Sequence, residues 1–207
     1  YGYDKIPTTA LRGSAEAIVT PGQEFERRIN NAMIAMGYDE IVTYSFMSPK
    51  MYDKICLPAD HPMRRSVVIT NPLGEDTSIM RTTGLPSMLD TLARNYRNPE
   101  AWLYEISSEY LPREGEDLPE EKAVLMVGCY GGEADFFTLK GTVESLLSRL
   151  NLPRADYTAV STHPSYHPGR FAVLTVGDVE IGSVGEVHPT VLENFGIGCR
   201  AWIARLD

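Results

Sequence analysis

The sequence has little positive charge for its size. Its 207 residues carry 19 Lys and Arg against 28 Asp and Glu, which gives a formal net charge of -9. Because nonspecific affinity for nucleic acid comes from an excess of Lys and Arg, this balance argues against a chain that grips a phosphate backbone by itself. Arg94 and Arg97 form the best local basic pair, but their place near a predicted helix end favours a role in complementing the helix dipole.

Cysteines and long apolar runs are also scarce. Cys56, Cys129 and Cys199 are odd in number and share no CxxC spacing, which favours reduced thiols over a disulfide framework or a zinc knuckle. No stretch reaches the roughly 18 apolar residues of a membrane span, and no charged-then-apolar leader precedes a cleavage site. We therefore expect a soluble, cytoplasmic protein without a membrane-spanning segment.

Hydrophobic residues make up 43% of the chain, which is enough for one sizeable core. Residues 1–19 have no clear periodicity and are expected to form a linker, with residues 20–207 as the folded module. Because the sequence opens on "YGYDKIP" without an initiator Met, we expect it to be part of a longer polypeptide.

The first strong helix signal covers residues 21–36. Thr20 and Gln23 form a capping-box pattern around Pro21, and Gly37 is placed to end the helix. One apolar face of this helix is expected to be buried, and it consists of Phe25, Ile29, Ala32, Met33 and Met36.

Two further stretches have helical spacing. One begins near Leu85 and ends before Asn98-Pro99. The other runs through "DFFTLKGTVESLLSRL", with Asp135 as its N-cap. Gly141 inside this helix costs about 1 kcal/mol relative to Ala, so we expect close packing at that position.

Strand patterns fill most of the remaining sequence. They cover residues 41–46, 66–70, 101–111 and 123–130, two strands around the hairpin turn Gly177-Asp178, and a last strand at 201–206. A short helix is expected from about Pro189. Because the strands come in hairpins, the prediction is an α+β fold with a mainly antiparallel sheet of about six to eight strands, flanked by helices.

The segment "THPSYHPGR" contains His163 and His167 four residues apart, a spacing that on a helix would suit two metal ligands. The proline after each histidine disfavours helical backbone there, so we expect an extended segment and a turn with no metal. In that turn Gly169 would permit the bend and Arg170 would bond a carbonyl or a carboxylate. His167, Gly169 and Arg170 are thus predicted to be structural.

Two other patterns suggest chemistry only weakly. The glycines of "GCYGG" do not open a helix at the spacing of a phosphate-binding loop, so a strand end and turn is expected. Glu105 and Glu109 share one face of a predicted strand and could form an acid/base pair. Without a visible partner we interpret them as ion-pair or surface residues.

Taken together, several ordered segments resemble the C-terminal part of the bacterial phenylalanyl-tRNA synthetase beta subunit. They cover nearly the whole chain and read "YGYDKIP", "GYDEIVTYSF", "NPLGEDTSIMRTTGLPSML", "LYEISSEYLP", "DFFTLKGTVESLL", "HPGRFA" and "GSVGEVHPTVLENFGI". The resemblance implies a class II aminoacyl-tRNA synthetase-like module from about residue 20 onward. By the same resemblance, residues 1–7 are the tail of a preceding small domain.

The resemblance also implies which catalytic parts are missing. Residues 21–46 correspond to motif 1 of class II synthetases, which lies at a subunit interface, and residues 101–121 correspond to motif 2. The motif 2 strand "YEISSEYLP" has no arginine for an ATP phosphate, and "CRAWIARLD" has neither the glycines nor the following helix of motif 3. Such cations stabilise the charge that develops as an adenylate forms. Arg81 alone is predicted to be structural, anchoring a loop to the sheet.

The resemblance therefore implies a noncatalytic module of a phenylalanine-tRNA ligase, a heterotetramer in which the alpha subunit does the chemistry. We expect no cofactor or metal in this chain, with ATP, magnesium and phenylalanine bound by the alpha subunit and tRNA bound by the whole complex. Two alternatives stay open. The chain could be an active adenylate-forming domain in which Arg81 and Arg113 replace the missing arginines, or a free-standing small-molecule binding module on the same fold.

The predicted site of assembly is the polar face of the first helix together with the strand that follows it. Arginine is favoured at interfaces, where its planar fork can pair with a carboxylate, and charge can fix the register of two subunits. The candidate interface residues on this face are Glu24, Arg27, Arg28 and Asn31.

Overall fold

The computed structural model describes residues 2–10, 13 and 18–207. Five α-helices are found in this part of the chain: Pro21–Ala35 (α1), Lys50–Lys54 (α2), Leu85–Asn95 (α3), Phe136–Arg149 (α4) and Pro189–Phe195 (α5). The strands are Asp39–Glu40 (β1), Phe46–Met47 (β2), Ile79–Met80 (β3), Glu100–Leu111 (β4), Glu120–Gly131 (β5), Asp156–Ala159 (β6), Tyr166–Val176 (β7), Val179–Val187 (β8) and Ala201–Leu206 (β9). Short 3₁₀ turns occur at Tyr3–Lys5, Pro62–Arg64 and Glu75–Thr77.

A seven-stranded sheet forms the centre of the fold, with the order β1-β4-β5-β9-β8-β7-β6. Only the edge strand β1 pairs in parallel, with β4, and every other neighbouring pair in this sheet is antiparallel. β2 and β3 form a separate two-stranded sheet. The α+β prediction with a mainly antiparallel sheet is confirmed.

Helices cover both faces of the sheet. On one face, Leu139, Val143 and Leu146 of α4 pack with Tyr104 and Trp202 of the sheet, and α1 adds to the same cluster. On the other face α2, α3 and α5 pack together, and buried members of that cluster are Tyr52, Met88, Leu89, Leu92, Met126, Val191 and Ile203. Burial of apolar area on both faces drives the chain into three layers.

The helix starts follow the local sequence closely. In α1 the Thr20 side chain accepts a hydrogen bond from the Gln23 N–H, and the Gln23 side chain accepts from the Thr20 N–H. Asp135 caps α4 by accepting from the Thr138 N–H at 2.6 Å. These bonds satisfy donors that a helix end would otherwise leave unpaired. All three main helices therefore begin where the sequence predicts.

The apolar face of helix α1 is less completely buried than predicted. Ala32 and Met33 are buried against α4 and the sheet, but the Phe25 side chain is 41% exposed. The expectation of close packing around Gly141 is wrong as well, since a Cβ built at that position meets no atom within 4 Å. Only the C-terminal half of α1 reaches the core, and the backbone of α4 at Gly141 faces open space.

Two predicted strands are mostly wrong. Residues 41–45 belong to neither sheet, and of the predicted strand 41–46 only Phe46 lies in a strand, β2. Residues 66–70 contribute a single bridge between Val68 and Ile79. The predicted linker at residues 1–19 falls partly outside the described residues, namely at residues 1, 11, 12 and 14–17.

Candidate functional site

Arg81, directly after β3, is one of the most deeply buried charged groups of the candidate site. Only 1% of the residue is exposed. Its Nε donates to the Ser108 carbonyl at 3.0 Å, and its Nη1 donates to the Thr43 hydroxyl at 2.8 Å and to Glu105 Oε2 at 3.4 Å. The guanidinium therefore joins β4 to the extended residues near Thr43.

The backbone of Arg81 makes the same connection. Its N–H donates to the Ser45 carbonyl at 2.9 Å, and its carbonyl accepts from the Tyr110 N–H at 2.9 Å. Glu105 completes the cluster by accepting from both the N–H and the hydroxyl of Thr43, at 2.8 and 2.9 Å. We call residues 41–46 the tethered segment, because side chains from β4 and Arg81 hold it on the sheet.

Alternate residues of the tethered segment point in opposite directions, as extended backbone requires. Thr43 and Ser45 face the Arg81 cluster, whereas Val42, Tyr44 and Phe46 are 89%, 79% and 42% exposed. We call these three side chains the apolar stripe. Such a contiguous exposed apolar surface is typical of a protein-binding site.

A groove of about 810 Å³ lies beside the apolar stripe. One wall is the tethered segment, and the opposite wall is the outer face of α3, at Ser87, Asp90 and Arg94. Arg94 pairs with Asp90 at 2.7 Å, as expected for residues one helical turn apart. One member of the local basic pair, Arg94, is thus engaged within its own helix.

Glu109 is the second buried carboxylate of β4, and it also ties a loop to the sheet. Arg205 on β9 donates to it through Nη2 at 2.5 Å and Nε at 3.1 Å, and the Gly84 N–H before α3 donates at 2.9 Å. Burial would lower the pKa of Arg205, but these bonds and the charge of Glu109 raise it above its usual value. Glu105 and Glu109 therefore carry ion pairs, and the acid/base alternative loses its geometric basis.

The sheet face covered by α2, α3 and α5 has little room for a ligand. Between these helices and the sheet lies a cavity of about 50 Å³, lined in part by Leu85, Met126, His163 and Arg205. Ligand pockets for molecules of nucleotide size are roughly 300–1,000 Å³. Arg205, which lines this cavity, is bound to Glu109, and the other buried arginine, Arg81, is bound to Glu105.

Arg113 lies in the hairpin loop between β4 and β5. It is exposed and forms ion pairs with Glu116 at 3.1 Å and with Glu120 at 3.9 Å. Glu116 comes from the same loop and Glu120 is the first residue of β5, so Arg113 does not reach the Arg81 cluster through these contacts. The two arginines of the catalytic alternative are therefore held by different partners in different surroundings.

The four candidate interface residues of α1 differ in how they are held. Glu24, Arg27 and Asn31 are exposed, and Glu24 pairs with Arg27 at 3.3 Å within the helix. Arg28 instead donates to the Leu150 carbonyl at 2.9 Å, which ties α1 to the end of α4. Arg28 thus has a contact inside the chain that its position in the sequence did not indicate.

Each of the four histidines accepts a hydrogen bond across the proline that follows it. The Nδ1 atoms of His61, His163, His167 and His188 accept the N–H two residues further on, at 3.1 to 3.2 Å. His61 and His188 thereby cap short helices. In the described part of the chain, no group of three or more His, Cys, Asp or Glu side chains is arranged to hold a metal ion.

Around His167 the chain enters β7 rather than a separate turn. Gly169 lies in an irregular stretch where the register shifts between Tyr166 and Phe171, and its φ is outside the left-handed region. Arg170 donates to Glu186 at 2.7 Å, and Arg200 donates to the same carboxylate at 2.6 and 2.9 Å. Burial would raise the pKa of Glu186, but these arginines outweigh it and lower the pKa.

The three cysteines are free thiols in different surroundings. Burial raises the pKa of Cys129 to about 12 and also raises that of Cys199. A thiol with a raised pKa is a poor nucleophile at neutral pH because little thiolate is present. Neither residue therefore provides a catalytic nucleophile.

Sequence reasoning missed Thr43, although it interpreted Glu105 as an ion-pair or surface residue, and the structure shows Glu105 in an ion pair. The only signal for Thr43 was a polar residue at the centre of an otherwise apolar strand pattern, "EIVTYSF". It also missed the capping role of the histidines, although the repeated His-Pro pairs were visible.

No helix among the described residues combines the length and apolar character needed to cross a lipid bilayer.

Comparison with solved structures shows the fold alone. A pyrrolysyl-tRNA synthetase from Desulfitobacterium hafniense superimposes with a TM-score of 0.71 at 18% identity, covering 88% of this chain and 65% of that one. A second structure, of PylSc from the same organism, also gives 0.71, at 16% identity, covering 90% and 64%. The antiparallel sheet with flanking helices is thus similar to that of class II synthetases.

Comparison with characterised sequences is more specific. The phenylalanine-tRNA ligase beta subunit of Clostridium tetani is 44% identical over 211 residues, covering 100% of this chain. That of Geobacter sulfurreducens is 38% identical, covering 95%. In both cases the match spans 26% of the relative's length, so the chain corresponds to about a quarter of these subunits. The family model for the phenylalanyl tRNA synthetase beta chain CLM domain matches residues 6–207, and the chain belongs to this family.

Proposed function

We propose that this chain is a noncatalytic module of a phenylalanine-tRNA ligase beta subunit and that it docks the alpha subunit through α1 and the tethered segment. The observation that carries the proposal is the apolar stripe, in which Val42, Tyr44 and Phe46 remain exposed on a segment held firmly from behind. Burying such side chains against a partner contributes about 25 cal/mol per Å² of apolar area.

The charged face of α1 has a secondary part in this proposal. Glu24, Arg27 and Asn31 are exposed on α1 and can set register across a boundary by charge and hydrogen bonding. Arg28 is bound to α4 and belongs to the scaffold beneath them. We therefore assign most of the binding free energy to the apolar stripe, and the orientation of the two subunits to the charged face of α1.

The absence of catalysis is supported by the same geometry. Adenylate formation needs cations directed at an open site, whereas Arg81 is buried and bound to Glu105, and Arg205 is bound to Glu109 beside a cavity of about 50 Å³. We assign ATP, magnesium and phenylalanine to the alpha subunit. Contact with tRNA is assigned to the whole complex, since this chain has a net charge of -9.

Assembly measurements test the docking surface directly. In the complete beta subunit, Val42→Ser and Tyr44→Ser together should weaken binding of the alpha subunit by about tenfold or more, because two apolar contacts are lost. Leu118→Ser is a matched control, since Leu118 is 76% exposed but lies in the loop between β4 and β5. Equal binding by the stripe variant and the control variant would refute the proposal.

A second measurement separates the scaffold from the catalytic alternative. Arg113→Ala in the assembled enzyme should leave phenylalanine-dependent exchange of pyrophosphate into ATP unchanged, because the partners of Arg113 are Glu116 of its own loop and Glu120 at the start of β5. Loss of exchange without loss of assembly would instead support an adenylate-forming site in this chain.

A further inference from the structure

The tethered segment is attached to the sheet in an unusual way. Its two ends make backbone bonds, from the Ile41 N–H to the Tyr104 carbonyl at 2.8 Å and from the Arg81 N–H to the Ser45 carbonyl at 2.9 Å. Between these points, across residues 42–44, no backbone-to-backbone hydrogen bond is found in the described part of the chain. The middle of the segment is held by Thr43, through its N–H and hydroxyl.

Among the described residues, Thr43 is the only side chain that bridges both charges of the buried ion pair. Its hydroxyl accepts from Arg81 Nη1 at 2.8 Å and lies 2.9 and 3.0 Å from the two oxygens of Glu105. The direct distance from Arg81 Nη1 to Glu105 Oε2 is longer, at 3.4 Å. The hydroxyl is thus the closest link between the segment, the guanidinium and the carboxylate.

A stability role alone accounts poorly for this arrangement. Burying two charges removes their hydration, and well-packed apolar residues in their place are often as stable or more stable. What apolar residues would not provide is a fixed direction, because packing is non-directional whereas hydrogen bonds are directional. Here the directional bonds end on Thr43, between the exposed side chains of Val42 and Tyr44.

We infer that Thr43, Arg81 and Glu105 form a positioning device that holds the apolar stripe in its binding conformation before the partner arrives. Thr43 and Arg81 are positioning residues, since they act through Val42, Tyr44 and Phe46 and do not themselves contact the partner. The inference rests on the proposed docking of the alpha subunit. Because the segment is already ordered when the chain folds, the entropy cost of ordering it does not weaken association with the partner.

The test compares Thr43→Val with Thr43→Ser in the complete beta subunit. Valine keeps the branched shape but removes the hydroxyl, whereas serine keeps the hydroxyl and serves as the rescue variant. Hydrogen exchange of the amides in residues 42–46 should accelerate in the valine variant and stay at the wild-type rate in the serine variant. Affinity for the alpha subunit should fall about tenfold with valine only, equivalent to about 1.4 kcal/mol.

Thr43→Ala is a second test of the hydroxyl, and thermal unfolding checks that each variant is still folded. Alanine removes the same hydroxyl with a smaller side chain, so alanine and valine should loosen the segment alike, while exchange elsewhere in the chain stays at the wild-type rate. Accelerated exchange with unchanged affinity would overturn the inference. Unchanged exchange in both variants would also overturn it. Failure of the stripe variant Val42→Ser with Tyr44→Ser to weaken binding would instead refute the docking proposal itself, whatever the exchange rates show.

Discussion

Arg81 and Glu105 form an ion pair in which the two side chains are only 2% and 3% exposed, with 3.4 Å between Nη1 and Oε2. Neither charge can be hydrated at this depth, so each depends on the other and on Thr43 and Ser108 for its hydrogen bonds. The free energy of this cluster is therefore strongly coupled, and removing one member leaves its partner uncompensated.

The first prediction uses this coupling. Arg81→Met should lower the free energy of unfolding by about 3–5 kcal/mol, because Glu105 is left buried without its counter-charge. Adding Glu105→Leu should recover part of that loss. Urea denaturation of the two single variants and the double variant measures the coupling as a double-mutant cycle. Additive losses in the double variant would show that the two charges are energetically independent.

The second prediction concerns pH. Burial, with a smaller contribution from His61, lowers the pKa of His163 from 6.5 to about 4. The unfolded chain therefore binds a proton more readily, so the stability contributed by neutral His163 is complete above about pH 6.5 and is lost as the pH falls toward 4. The loss should reach at most about 3 kcal/mol, measured by denaturation at pH 7, 6, 5 and 4.

His163→Asn is the control for this effect. Its side-chain oxygen can still accept from the Ser165 N–H, as His163 Nδ1 does at 3.2 Å, but the side chain does not titrate. Stability of this variant should be flatter between pH 6.5 and 4.5. Glu186, whose pKa is lowered, contributes stability that is lost below that range in both proteins. Equal slopes between pH 6.5 and 4.5 would contradict the assignment to His163.

The third prediction is a gain in stability at Gly141. A Cβ at this helical position meets no atom within 4 Å, so Gly141→Ala should raise the free energy of unfolding by roughly 0.5–1 kcal/mol. Gly131→Ala should have the opposite sign, because its φ is +74° and a Cβ would lie 2.0 Å from the Pro99 carbonyl. A destabilised Gly141 variant would mean that the open space beside α4 is occupied.

The helices could be predicted because their signals are local. Thr20, Gln23 and Asp135 each bond within three residues of themselves, so their effect depends on neighbouring sequence only. The hairpin at Gly177-Asp178 follows for the same reason, since β7 and β8 pair directly across it. Local bonds need no knowledge of the rest of the fold.

The candidate site could not be predicted in the same way because its bonds are long-range. Thr43 and Glu105 are 62 residues apart, and Arg205 reaches Glu109 over 96 residues. The pattern "IVTYSF" has strand propensity, but the N–H and hydroxyl of Thr43 at its centre bond a carboxylate instead of the backbone of a neighbouring strand. Likewise, Arg28 resembles a free surface charge until α4 brings the Leu150 carbonyl to it.

The place of β9 in the sheet has a consequence for how the chain is made. β9 comes last in chain order among the strands described, yet it lies between β5 and β8 and pairs with both. Until a ribosome has released residues 201–206, the hairpin of β4 and β5 and the strands β6 to β8 have no strand to join them. Each half then exposes an unpaired edge, the kind of surface on which nascent chains aggregate. During synthesis this module should therefore be most dependent on chaperones just before β9 emerges.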